Sequence, residues 1–539
     1  MRRERLLNSN RDDGMTHFSW YLDGSIVGFY LLATMVVGIM VRKYVGKVEH
    51  FLIAGREMDV YLGIASLAAT EFGVVTCMYT AQNGYDKGFA GATPGILMAA
   101  AMLVVGLTGF CVKPLRDAGV MTIPELFERR FGRKIRWLAG VVIVLGGLLN
   151  MGVFLRTGGE FLILVCGFPP ESAAAAAPTL AGFIAGHYLE IAMTVMLLAV
   201  ATYTILGGML SVLVTDFLQF IVMSVGLIAV TVLILASSDI GWGKLVATVE
   251  AKYGAGGFNP FVHPDMGWQY VLFNALLNVA AVLTWQTTIQ RLLAAKDTRT
   301  GMKIYSRTSF FFVCRFLIPG IWGIAALAML APEVVGGNTL HAMPRFLGAF
   351  VPAGLMGILL AAMLAADMST DSSYMLTWSS VIYNDILAPF RKKPWSEKKG
   401  LFWSRSIVAI IGVFLLVYGL WYPLSGDLWT YLGVTGTIYL ASMSVLLVAC
   451  CYWKRANNWG AAAAIIFGAA IPVAYLVLEQ VWVVHVTDAA GQIAAKSVVK
   501  EVVGPYYSGI AAYVIAAAAM VIGSLLKPKA RPEPAPAAA

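Results

Sequence analysis

Residues 365–387 read AADMSTDSSYMLTWSSVIYNDIL, and they follow directly on GLMGILLAAML, so they continue a helix long and apolar enough to cross a bilayer. The stretch nonetheless carries two aspartates, Asp367 and Asp371, and a cluster of hydroxyls. An aspartate at the bilayer centre costs roughly 2.5–3.5 kcal/mol on insertion scales, which directs the reading to function. Ala366, Ser369, Thr370 and Ser373 follow the i, i+3, i+4, i+7 spacing and share one helix face, with Ser372 beside it. Hydroxyls at that spacing, joined by carbonyls from an unwound segment elsewhere, make an all-oxygen shell for a hard cation such as Na⁺. The same small polar residues also let helices approach closely or bond back to their own helix.

Outward from this stretch the chain is of one character. Of its 539 residues, 59% are hydrophobic and only 13% charged, against about a quarter charged in soluble proteins. About thirteen apolar runs of spanning length recur, near 22–41, 59–82, 90–112, 137–166, 186–206, 209–236, 268–289, 309–331, 353–387, 404–423, 428–452, 459–484 and 505–526. This predicts an all-α integral membrane protein. The formal charge of +9 is not a nucleic-acid footprint, because the basic residues alternate from loop to loop. They gather in RKYVGKVEHFLIAGR (42–56), KPLRDAG (113–119), FERRFGRKIR (127–136), RLLAAKDTRTGMKIYSR (291–307), RKKPWSEKKGLFWSR (391–405), WKR (453–455) and KPKAR (527–531). That pattern predicts an outward N-terminus and an inward C-terminus in the plasma membrane, although MRRERLLNSNR at the start runs mildly against it. The six cysteines lie in or beside apolar segments and form no paired metal motif. The Pro/Ala-rich end is expected to be disordered.

The ionisable residues that stand out within spans are Glu71, Arg156, Glu160, Asp216, Arg315, Asp367 and Asp371. Arg156 and Glu160 are spaced to pair on one helix face. The run DVYLGIASLAATEFGVVTCMYTAQNG mixes Thr70, Glu71 and Gly73 into its middle, which weakens helix continuity and predicts a discontinuous helix. Residue chemistry thus reaches a cation-coupled transporter. An intramembrane aspartyl protease would use paired carboxylates, but its Tyr-Asp and Gly-x-Gly-Asp motifs are missing. A channel lacks a pore-loop signature here.

The run YTILGGMLSVLVTDFLQFIVMSVG, from Tyr203, resembles the sodium:solute symporter family through Tyr203, Gly207, Gly208, Val212, Thr215, Asp216 and Gln219. IASLAATEF, QRLLAAKD (Gln290 to Asp297) and the ADMST run agree with it, so that the resemblance covers roughly residues 20–455. It implies a LeuT-like fold of two inverted five-helix repeats. The chain then divides into a tail (1–18), a transporter core with one preceding helix (19–455), two additional transmembrane helices (456–526) and a cytoplasmic tail (527–539). The implied activity is not enzymatic. It is sodium-coupled symport of a small organic solute by alternating access, with the lipid bilayer as surroundings and a monomer sufficient for transport.

The resemblance carries a main Na⁺ site onto Ala69, Phe72, Ala366, Ser369 and Thr370, and a second, found in some members, onto Asp216, Ser369, Ser372 and Ser373. One or two ions would couple. Asp371 departs from the leucine common there, and with Asp367 it could tighten Na⁺, admit H⁺ or pair with an arginine; a proton-coupled transporter of the same fold is the alternative, and a transporter-derived sensor a further one. For the solute, Asn278 matches a sugar ligand of sugar-transporting members and Arg315 stands where they place a cavity lysine, while other expected sugar contacts are missing. Thr76 replaces a glutamine, Arg156 replaces a cavity tyrosine, and Gln286 is placed on the pathway. Two arginines in one cavity would suit an organic anion, whereas the sugar-type matches suit a polyol. Both classes stay open at this point.

Overall fold

The computed structural model describes residues 16–44, 46–168, 180–391, 393, 395–423, 426–487 and 493–527. Most of the N-terminal tail and all but the first residue of the C-terminal tail, whose order and side were expected from sequence, lie outside them. The principal helices, numbered in chain order, are α1 (Leu22–Val41), α2 (Val60–Glu71), α3 (Val74–Lys87), α4 (Thr93–Thr108), α5 (Arg133–Met151), α6 (Phe154–Val165), α7 (Tyr188–Ala236), α8 (Gly267–Thr284), α9 (Gln286–Ala294), α10 (Thr298–Met329), α11 (Leu355–Val381), α12 (Glu397–Trp421), α13 (Leu428–Tyr452), α14 (Asn458–Val481) and α15 (Gly504–Leu526). Among the described residues, eleven helical segments are long and apolar enough to cross a membrane. Two of these hold more than one crossing. The 49-residue α7 is interrupted at Gly208 (φ 55°, ψ −149°), and the segment from Val74 to Thr108 turns through a short 3₁₀ stretch at Gly88–Ala92. Divided there, with α2 and α3 taken as one broken crossing, the chain makes the thirteen passes that its hydropathy predicts.

Gly208 has a local reason. Its positive φ favours glycine, and a Cβ there would stand 2.6 Å from the Phe51 carbonyl. The other decisive interruptions are mid-helix. α2 gives way to α3 at Phe72–Gly73, and α8 gives way to α9 at Trp285 (φ −64°, ψ 116°). The breaks fall in the second and seventh crossings, five apart.

α11 is the central element: 89% of its spanning window is buried inside the protein, against 17% for α1. Its hydropathy is correspondingly low, because its neighbours are protein on every side rather than lipid. The N-terminus of α11 is held by Asp23 of α1, wholly buried, whose Oδ1 accepts from the N–H groups of Gly354 and Gly357 at 2.7 Å each. A carboxylate on those unpaired donors is what a helix start requires. After α14, a two-stranded antiparallel hairpin, β1 (Val483–Thr487) with β2 (Ile493–Ser497), precedes α15. The hydropathy profile, which runs a span to 484, does not anticipate it.

α3 packs backbone to backbone on α10. A Cβ at Gly84 would meet the Gly320 carbonyl at 2.1 Å, and one at Gly323 would meet the Ala81 carbonyl at 1.8 Å. Gly323→Ala is therefore expected to lower the melting temperature of the detergent-purified protein by the equivalent of about 1–3 kcal/mol, the usual overpacking cost. Gly28→Ala on α1, where nothing lies within 4 Å, is the control and is expected to leave it unchanged.

Candidate ion and solute site

Where α2 ends, the backbone stops making helical bonds. Phe72 takes φ −107°, ψ 49°, and its N–H reaches back only to the Ala69 carbonyl at 3.3 Å. Among the described residues no donor bonds to the Phe72 carbonyl. Gly73 then runs extended into α3. The α11 hydroxyl face closes on this break. Thr370 Oγ1 donates to the Thr70 carbonyl at 2.9 Å, and a Cβ at Gly73 would come within 2.4 Å of that same hydroxyl. Glycine is required here by close approach rather than by an unusual φ. Ser369, one residue earlier on α11, donates to Asp216 Oδ1 of α7 at 2.6 Å. The expected main-site residues Ala69, Phe72, Ser369 and Thr370 thus come from two elements that meet at the break, with Ala366 one turn back on α11. Their donor set is neutral oxygen, which suits a hard monovalent cation.

Beside this lies a cluster that sequence reading did not assemble. Arg291 of α9 is wholly buried. Its Nη2 donates to Asp216 Oδ2 at 3.2 Å, to Thr70 Oγ1 at 2.5 Å and to Ser373 Oγ. Its Nε donates to Ser66 Oγ at 3.1 Å and its Nη1 to the Thr287 carbonyl at 3.3 Å. Ser66 in turn donates to Asp216 Oδ2 at 2.5 Å, and Ser372 donates to the Ser369 carbonyl on its own helix at 3.1 Å. The alternation of charge places Arg291 in a basic loop; the fold instead winds QRLLA into α9 and turns the guanidinium inward. The signal available was its place in the QRLLAAKD motif.

A second buried ion pair faces the cavity on the other side of the break. Arg315 Nη1 donates to Glu71 Oε2 at 3.1 Å, and its Nη2 donates to Thr76 Oγ1 at 3.1 Å and Tyr79 Oη at 2.8 Å. Glu71 Oε1 accepts from Thr287 at 2.9 Å and Thr288 at 3.3 Å. Glu71, Thr76, Tyr79 and Arg315, with Asn150, Asn278 and the rings of Trp285, Phe316, Tyr374 and Trp429, line one cavity between α3, α5, α8, α10, α11 and α13. Asn278 spends its amide donor on the Asn274 carbonyl at 2.7 Å, and Asn150 spends its own on Leu432 and Thr435. Asn150 thus has its carbonyl oxygen unused, and Asn278 its carbonyl oxygen and one N–H.

Ion pairs also join the ends of the helices that line the cavity. At one end Lys87 at the end of α3 pairs with Asp427 at 2.7 Å, the residue that caps α13, and Gln82 donates to the Gly426 carbonyl at 2.9 Å. At the opposite end Arg136 of α5 pairs with Asp385 at 2.8 Å, just past α11.

Arg315, Asn278 and Thr76 thus share the cavity, but two other residues assigned to it do not. Arg156 pairs with Glu160 at 2.7 Å and donates to the Gly419 carbonyl at 3.0 Å, away from the lining. The i, i+4 spacing on α6 decides this, and Glu160 is further held by His341 at 3.1 Å. Gln286 borders a separate small void with Gln290 and Thr377 instead, because the turn at Trp285 rotates α9 off the cavity. Asp367 and Asp371 find no arginine. Among the described residues both Asp371 oxygens and Asp367 Oδ2 are buried without a hydrogen-bond partner, since Arg315 is taken by Glu71.

A family model for the sodium:solute symporter family matches residues 51–180 and 172–468. The chain belongs to the sodium:solute symporter family. It is 26% identical over 504 residues to sodium/glucose cotransporter 4 of Danio rerio, covering 85% of this chain and 72% of that one. It is 25% identical over 555 residues to the sodium/mannose cotransporter of Bos taurus, covering 94% and 87%, and 25% identical over 492 residues to the sodium/myo-inositol cotransporter of Mus musculus, covering 81% and 64%. Among solved structures it superposes on a Na⁺-coupled sialic acid symporter in a substrate-bound outward-open state with TM-score 0.74 at 17% identity, covering 94% of this chain and 98% of that one. It also superposes on Mhp1, a nucleobase-cation-symport-1 family transporter in a closed conformation, with TM-score 0.55 at 14% identity, covering 88% and 95%. The fold is the LeuT-like inverted repeat, and the family is one of sodium-coupled membrane symporters, not enzymes.

Because Glu71 and Arg315 are buried together, removing one strands the other's charge. Glu71→Ala is expected to destabilise the protein by about 3–5 kcal/mol, and the Glu71→Ala/Arg315→Ala double variant to recover part of that, read as melting temperatures in detergent.

Proposed function

We propose that this chain is a Na⁺-coupled symporter that imports a small, polar, uncharged solute of the sugar or polyol class by alternating access. The observation that carries the solute class is the Glu71–Arg315 pair at 3.1 Å inside the cavity, together with the engagement of Arg156 by Glu160 elsewhere. The two-arginine clamp that an anion would need is absent from the lining, and the one guanidinium present is already neutralised. Unused carbonyl oxygens on Asn150 and Asn278 offer acceptors for hydroxyl donors, and aromatic walls suit the apolar faces of a sugar ring. The relatives named for glucose, mannose and myo-inositol support the same class.

In this reading Na⁺ enters from outside and binds Ala69, Phe72, Ala366, Ser369 and Thr370, drawing the break and the α11 face together. That order fixes α3, whose Thr76 and Tyr79 hold Arg315 in the solute cavity. Lys87–Asp427 then closes the outer end, and release of Arg136–Asp385 opens the inner one. Each inward charge adds about 2.3 kcal/mol per 100 mV of membrane potential to the driving force. The N-terminus lies outside and the C-terminus inside the plasma membrane. One chain holds the entire site, residues 19–455 forming the core and 456–526 two added helices. Among the described residues both Asp371 oxygens and Asp367 Oδ2 have no hydrogen-bond partner, which favours a second reading, in which H⁺ replaces Na⁺ as the coupling ion.

Thermal unfolding in NaCl against KCl at matched ionic strength separates these. Na⁺ at 100 times its Kd should stabilise by about 2.7 kcal/mol; Ser369→Ala and Thr370→Ala should abolish most of that shift, and the exposed Lys398→Ala none. Equal melting in both salts would leave H⁺ as the coupling ion. With Na⁺ present, added sugars or polyols should stabilise further and organic carboxylates should not.

A further inference from the structure

We propose that the connection between α11 and α12 is a docking surface for the headgroup of an anionic phospholipid in the adjoining leaflet. The segment from Arg391 to Arg405 reads RKKPWSEKKGLFWSR, with six basic residues against one acidic residue, Glu397. Glu397 is already engaged, because its Oε2 accepts from the Val48 N–H at 2.8 Å. The same bond brings Lys47, which is exposed, alongside. Lys393 and Lys399 are exposed as well. Among the described residues no carboxylate pairs with either of them or with Arg391.

The alternation of charge between loops asks only that basic residues stand on this side. It does not ask for the way Arg391 is held. Its guanidinium carbon lies 4.2 Å from the centroid of the Trp395 ring and 4.9 Å from that of Tyr383, and Lys399 Nζ lies 5.6 Å from the same Trp395 ring. Trp395 is stacked in turn on Trp403, at 5.5 Å and 17°. Nε and Nη1 of Arg391 are buried without a hydrogen-bond partner among the described residues. The rings fix the cation but supply it no oxygen. A guanidinium held in this way loses little freedom on engaging a phosphate, and the neighbouring ammonium groups add charge of the right sign.

A lipid is favoured over a soluble anion because the patch is not purely basic. Phe390 and Phe402, 67% and 63% exposed, stand in it where the spanning segments Leu355–Phe390 and Glu397–Trp421 meet the connection. Phe390 packs edge-on against Trp137 of α5 at 6.1 Å. Aromatic side chains at the end of a span sit at headgroup depth, and basic clusters beside a span attract anionic lipid. Cations and apolar rings together fit a ligand that is acidic at one end and apolar at the other. Arg391 closes the segment that carries Asp385, the partner of Arg136, so a bound headgroup steadies that end of the helix bundle.

The test is the melting temperature of the full-length protein in detergent micelles containing phosphatidylglycerol, phosphatidylcholine at equal concentration, or inorganic phosphate. Phosphatidylglycerol should raise it saturably, and the other two should not. The Arg391→Gln/Lys399→Gln variant should lose most of that rise, whereas Lys303→Gln, which removes an exposed basic residue near the start of α10, should keep it. Should the first variant fail to fold, Lys393→Gln/Lys399→Gln, which spares the stacked guanidinium, carries the same expectation. An equal rise with phosphatidylcholine would overturn the proposal, and an equal rise with inorganic phosphate would mark a free-anion site instead. A rise undiminished in the double variant, or lost equally in Lys303→Gln, would also overturn it.

Discussion

A polypeptide that abandons its helical hydrogen bonds inside a bilayer must have those groups answered by protein, because lipid offers nothing to bond. The break at Phe72–Gly73 is where this protein meets that constraint. The α11 hydroxyl of Thr370 bonds the Thr70 carbonyl, Thr76 bonds the Glu71 carbonyl at 3.2 Å, and the Phe72 carbonyl is left over. An unwound turn in hydrocarbon would be a defect; pressed against the most buried of the described spanning segments, it becomes a set of oriented oxygens. The need to bury it explains why α11 is polar and why Gly73 carries no side chain.

Two ion pairs flank that turn, and each binds a broken helix to the rest. Asp216–Arg291 ties α2 to α7, α9 and α11, and Glu71–Arg315 ties the break to α9 and α10. Unpaired, any of these four charges would be costly at this depth. Paired, they leave the region between them nearly neutral, so in the proposed reading a Na⁺ there would meet dipoles rather than a net negative site. A coupling ion must leave as readily as it enters, and neutral ligands serve that better than a carboxylate would. Asp367 and Asp371 stand apart from this pairing: among the described residues, both Asp371 oxygens and Asp367 Oδ2 are buried without a hydrogen-bond partner.

Much of this was legible in the chain itself. The thirteen crossings follow from hydropathy, because a spanning helix must be apolar over a fixed length. The break was foreshadowed by Thr70, Glu71 and Gly73 in one apolar run, and the Arg156–Glu160 pair by its i, i+4 spacing. What misled was equally physical. Arg291 reads as a loop residue because charge normally marks a membrane boundary, and only the winding of α9 beyond Trp285 turns it inward. Gln286 reads as pathway-lining from its place on the seventh span, and the same turn rotates it away from the cavity. The β1–β2 hairpin is invisible to hydropathy because its strands, short and apolar, extend the run of the preceding helix.

The sequence by itself determined that the chain crosses a membrane about thirteen times, that one of its central helices carries a hydroxyl face at cation-binding spacing, and that the second crossing is discontinuous. These are local properties, set by periodicity and by the cost of polar atoms in lipid. Only the tertiary structure decided which carboxylate meets which arginine. Glu71 takes Arg315, Asp216 takes Arg291, Glu160 takes Arg156, and Asp371 takes none among the described residues. Apart from Arg156 and Glu160, these partners lie tens to hundreds of residues apart, so their pairing depends on which helix faces the packing turns together, and no local spacing encodes that.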